Sequence, residues 1–151
     1  VGRFDDHLQR LMTKEAISIN PGYLHWAGIA VFKRAYQIFK PFQSTLLVAA
    51  YRHHMHWSEL TGKNVVMTIP FNWWNQFNKS EIHPRLSVDE VVPQEIVETL
   101  YKKFPDFRLA YDDGAMTPAQ FNSFGPTVHT LNQFLAGYQE LVGIVREKML
   151  V

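Results

Sequence analysis

Arg52 ends the run STLLVAAYR, residues 44–52, and both its charge and its place point to anion binding. The apolar core of that run, residues 46–50, shows no polar alternation, which suits a short strand covered on both faces within a parallel sheet flanked by helices. Open α/β folds and barrels place their ligands at the carboxyl ends of such strands, so a fixed cation there is a candidate clamp for phosphate. The competing structural role is an ion pair, with Glu59 as the candidate partner.

Other residues of chemical interest carry weaker signals. His53, His54 and His56 invite a metal reading, but adjacent and alternate helical positions point in divergent directions, and no second histidine stands four residues on with a carboxylate. The expectation is therefore no metal and no cofactor. Trp73, Trp74 and Phe77 have the ring faces to stack on bases, yet no basic groove accompanies them, so they read as packing surface. Asp112 and Asp113 read as turn residues.

The elements that must position Arg52 follow from periodicity. Phe4, His7, Leu8 and Leu11 fall at helical spacing, with Asp5 and Asp6 near the amino end, where a helix favours carboxylates. Asn20 and Pro21 then open a helix predicted over residues 23–40, about 27 Å long, whose polar face carries Lys33, Arg34, Gln37 and Lys40. Residues 54–60 form a short helix ended by Gly62, and residues 65–69 are a second apolar run closed by Pro70. Strand, helix, strand at that spacing requires parallel strands with a right-handed crossover. Residues 71–78 begin another helical turn, residues 80–93 read as an extended surface connection, and residues 94–104 return to helical periodicity. Residues 107–116 read as turn-rich, residues 117–120 as a helix start, and residues 128–150 as a long amphipathic helix.

Composition bounds the rest. The 151 residues, 46% hydrophobic and 14% aromatic, are enough for one packed core. Fifteen basic residues against fourteen acidic ones leave a formal charge of +1, too little for a field that recruits nucleic acid or an anionic membrane. Any anion site must be local. There is no cysteine, which removes disulfides and thiolate chemistry and makes a reducing cytoplasm the default compartment. No apolar run reaches the roughly 20 residues of a membrane span. The chain opens at Val1 without an initiator methionine, as though residues precede it.

Taken in order, VGRFDDHLQRLM, NPG at residues 20–22, AAYR at residues 49–52, VVMTIP at residues 65–70 and FRLAYDDGAMTPAQF at residues 107–121 resemble the carboxy-terminal part of the transaldolase family. In that family a Phe-Val-Gly-Arg turn follows the sixth barrel strand, Gly-Ala-Ser-Phe-Arg ends the seventh, and Leu-Thr-Ile-Ser-Pro forms the eighth. The resemblance implies the carboxy-terminal part of a (β/α)8 TIM barrel, with two parallel strands, surrounding helices and a long closing helix. It makes residues 1–151 a single partial domain, with the last βα units over residues 1–79 and a helical extension over residues 80–151.

The activity so implied is transfer of a dihydroxyacetone unit between sugar phosphates through a Schiff base on a lysine, in the pentose phosphate pathway. Carried over by position, Arg3 and Arg52 bind the substrate phosphate, and Phe107 and Tyr111 close over the active site. The family serine falls at Ala50, which removes one hydroxyl donor. The Schiff-base lysine and the acid/base carboxylate are expected upstream of Val1. A nucleophilic lysine needs desolvation, whereas Lys33 and Lys40 fall on the polar helix face and Lys63 at the wrong end of its strand. The expected partners are a sugar phosphate and either the missing part of the barrel or a second copy. The alternative reading is a non-catalytic helical interaction module.

Overall fold

Two three-residue strands form the only sheet among the described residues, and helices of very different lengths surround them. The structure is a computed structural model and describes residues 1–149. In chain order the helices are α1 (Gly2–Lys14), α2 (Pro21–Leu24) and α3 (Ala27–Phe39), and then strand β1 (Leu46–Val48). Next come α4 (Met55–Ser58), strand β2 (Val65–Met67), α5 (Phe71–Lys79), α6 (Gln94–Lys103), α7 (Pro105–Tyr111) and α8 (Gly125–Met149). Short 3-10 turns cover Lys40–Phe42 and Pro118–Asn122. The end expected for the last helix at Leu150 lies outside the described residues.

β1 and β2 pair in parallel, Leu46 with Val65, Leu47 with Val66 and Val48 with Met67, with α4 in the crossover as the spacing requires. Val48 is fully buried, but Leu47 is 59% and Val66 51% exposed. One face of this pair is thus packed and the other is open, as two strands without further neighbours leave it.

The chain divides into two compact units, Val1–Ala115 and Met116–Val151. The segment read as a surface connection belongs to the core of the first. Val88 and Val92 are buried, as are Ile96, Leu100, Phe104 and Phe107 beyond them, and most of these join one cluster with Leu8, Ile29 and Val48. Within the second unit, the Thr117 amide donates to Gln120 Oε1 at 2.8 Å, which caps the 3-10 turn. Along α8, Leu131, Phe134, Tyr138, Leu141 and Val145 are all exposed.

Three further local readings change. The helix expected over residues 23–40 is broken at His25 and Trp26 into α2 and α3. The stretch read as turn-rich contains α7, which starts with Pro105 in its first turn, where a missing N–H costs nothing. Lys33 is buried, not on a solvated face. Its ammonium donates to Glu59 Oε2 at 3.2 Å and to the carbonyls of Ser87 and Glu90 at 3.0 Å each, partners that come from segments remote in sequence.

Candidate functional site

The site is built where the amino end of α1 meets the carboxyl end of β1. The Gly2 amide donates to the Ala50 carbonyl at 3.0 Å, and the Val1 nitrogen to the Ala49 carbonyl at 3.2 Å. Gly2 is required for this approach, because a Cβ there would overlap the Ala50 carbonyl oxygen and sit 2.6 Å from Arg52 Cγ. Ala50 itself has φ of +62°, a left-handed conformation that costs an L-residue about 1–2 kcal/mol. That turn redirects the chain from β1 into Tyr51 and Arg52.

Arg3 lies in the first turn of α1 and Arg52 four residues beyond β1, so the Gly2–Ala50 contact brings together the two turns that carry them. Asp6 faces Arg52 from α1. Arg52 Nε donates to Asp6 Oδ1 at 3.0 Å and Oδ2 at 2.9 Å, and Nη2 to Oδ2 at 2.6 Å. Nη1 donates to the Tyr51 carbonyl at 3.0 Å. The bond to Asp6 raises the Arg52 pKa further, against a smaller loss from burial. An ion pair therefore exists, as the structural reading of Arg52 had it, but with Asp6 on the same rim. Glu59 is instead engaged by Lys33 and, at 3.6 Å, by Arg85.

Behind Arg52 lies a buried polar network that the sequence did not announce. The Arg52 amide donates to His56 Nδ1 at 3.1 Å, His56 Nε2 meets Asp5 Oδ2 at 2.7 Å, and the Gly28 amide donates to Asp5 Oδ1 at 2.7 Å. Burial pushes Asp5 toward the neutral acid, but the His53 and His56 imidazoles and the Gly28 amide together hold its pKa below the usual value. Burial lowers the pKa of His56, against the opposing pull of Asp5. His53 stacks between His25, at 4.7 Å between centroids, and His56, at 3.8 Å. Its Nε2 is 3.7 Å from Asp5 Oδ2, beyond hydrogen-bonding range, and both its ring nitrogens are buried with no hydrogen-bond partner. The Tyr51 hydroxyl is in the same position, and burial pushes its pKa up to about 12.

His53 and His56 therefore converge, where divergent directions were expected. Asp5, His53 and His56 each place a donor atom within 4.8 Å of the others, a grouping that could hold a metal ion. Its chemistry argues for another use. With His56 Nδ1 accepting from the Arg52 amide, the proton of the neutral ring sits on Nε2 and is donated to Asp5, so the nitrogen a metal needs is already committed. His56 and Asp5 work as a brace for the Arg52 main chain, and His53 packs beside them without joining the bonds.

The remaining expected residues are placed as follows. Phe107 is fully buried in α7, against Phe4 and stacked on Tyr111 at 5.3 Å, so it is a core residue with no surface left to close over a ligand. Tyr111 lies at the edge of the same cluster. Phe77 is the hub of the aromatic patch, 4.4 Å from Trp57 and about 6 Å from Trp73 and Tyr51, which supports a packing role. Asp112 closes α7 and accepts from the Tyr101 hydroxyl at 2.6 Å. Among the described residues, no helix is long and apolar enough to cross a membrane. Comparison with curated proteins and with solved structures found no match. A family model for transaldolase/fructose-6-phosphate aldolase matches residues 1–122, the greater part of the chain.

Proposed function

We propose, since this chain belongs to the transaldolase/fructose-6-phosphate aldolase family, that its part in catalysis is to hold the phosphate of a sugar phosphate through Arg3 and Arg52. The observation that supports this reading is the pinning of Gly2 against Ala50, which brings the turn carrying Arg3 against the turn that leads from a parallel strand to Arg52. The reaction is the transfer or cleavage of a dihydroxyacetone unit by way of a Schiff base. The lysine for it comes from outside these residues: the buried lysine present, Lys33, spends its ammonium on three acceptors. The open face of the β1–β2 pair is filled by further strands of a (β/α)8 barrel or by a second copy of the chain.

In an assay of fructose 6-phosphate cleavage or transfer, Arg52→Ala raises KM for the phosphorylated sugar about 10- to 100-fold, the loss of one charge-assisted contact. It leaves the unphosphorylated analogue unaffected. Equal effects on both sugars reject the reading. A second reading, a helical interaction module, draws on the exposed apolar row of α8. It requires Arg52→Ala to have no effect on phosphate binding.

A further inference from the structure

We propose that Asp6 is a positioning residue, which orients the Arg52 guanidinium so that its outer edge faces an incoming phosphoryl group. The inference rests on the reading of Arg52 as a phosphate ligand and goes beyond it by naming what aims that ligand.

A guanidinium has five N–H donors in a planar fork. Asp6 takes the Nε side, through Nε and one N–H of Nη2, and the Tyr51 carbonyl takes one N–H of Nη1. That leaves one N–H on Nη1 and one on Nη2, enough to donate to two phosphate oxygens. The group is held on two sides and offered on the third.

The main chain of the same residue is fixed independently. The Arg52 amide is bonded to His56, His56 to Asp5, and Asp5 to the Gly28 amide. Two consecutive carboxylates of α1 thus hold the two ends of one arginine, Asp5 from behind through an imidazole and Asp6 directly at the head.

Stability does not account for the Asp6 contact. The Arg52 side chain is 42% and the Asp6 side chain 36% exposed, and an ion pair in that setting contributes about 0–1 kcal/mol. What the contact does supply is geometry, because it removes rotamer freedom that phosphate binding must otherwise remove itself. The opposing idea is that Asp6 is a counter-ion competing with phosphate, and it predicts the opposite sign.

The test uses the full-length protein, Schiff-base lysine included, with inorganic phosphate as probe in titration calorimetry and fructose 6-phosphate kinetics beside it. Asp6→Ala weakens phosphate binding about 5- to 20-fold, with the kinetic effect in KM rather than kcat. Asp6→Asn, which keeps one acceptor oxygen, falls between, and Asp6→Glu restores part of the loss. Phosphate binding that is unchanged or tighter in Asp6→Ala overturns the proposal. Arg52→Ala, measured in parallel, separates the two levels. If it abolishes phosphate binding while Asp6→Ala does nothing, only the positioning role fails; if it too does nothing, the clamp itself fails.

Discussion

At the scale of single residues, the buried imidazoles make the site acid-sensitive in a definite direction. His56 is fully buried and faces Asp5 from α1, the His53 ring beside it and the Tyr51 ring, while His25 lies on the far side of His53. Burial lowers the folded pKa of His56, and burial with the His53 charge lowers that of His25. The unfolded chain thus binds protons first as pH falls, so stability is full above the unfolded histidine value of about 6.5 and declines through the lowered folded values. Asp5, also lowered, adds its own loss only below about pH 4. Urea unfolding is therefore expected to show a lower midpoint at pH 5.5 than at pH 7.5, with His56→Gln flattening the difference; a midpoint that rises on acidification contradicts the assignment. Arg52 was legible as a candidate because a charge ending an apolar run is a local pattern. Its partner was not, since Asp6 lies 46 positions away and in sequence reads only as a carboxylate suited to a helix start.

At the scale of elements, the site depends on one close approach, that of α1 to the turn after β1. A side chain at Gly2 overlaps the Ala50 carbonyl and crowds Arg52, and Ala50 is already in a strained left-handed conformation that leaves little room to yield. Gly2→Ala is expected to cost about 1–3 kcal/mol, as overpacking does, and to weaken phosphate binding as well because both arginine-bearing turns shift. Denaturant unfolding and phosphate titration of the same variant check both halves. An unchanged unfolding midpoint shows that the two turns are not in contact. The strands and their parallel order were readable because two apolar runs and a crossover of that length allow little else. The break between α2 and α3, the helix α7 and the burial of Lys33 were not. Each is set by distant segments, as the Ser87 and Glu90 carbonyls set Lys33, and periodicity along one helix carries no word of them. The same blindness hid the convergence of His53 and His56, which depends on Asp5 arriving from α1.

At the scale of the whole molecule, the exposed face of the strand pair is a feature that a folded chain in water has reason to cover. Leu47 and Val66 are direct neighbours across the pair and both more than half exposed, and a two-stranded sheet offers unpaired backbone at its edges. Fully burying a side chain of this kind contributes about 1.5–3 kcal/mol, and roughly half of each remains to be buried, so two such faces in contact yield about 3–6 kcal/mol. Association itself costs about 4–15 kcal/mol, so this face alone gives at most weak, concentration-dependent self-association, strengthened wherever backbone pairing along an edge adds to it. Sedimentation velocity of the chain alone is expected to show an average mass that rises with concentration. Leu47→Lys combined with Val66→Lys places two like charges opposite each other on that face and suppresses the rise, while Val48 beneath remains buried. A parent chain that sediments as a monomer throughout, or a double variant that associates as before, removes this face from any role in assembly.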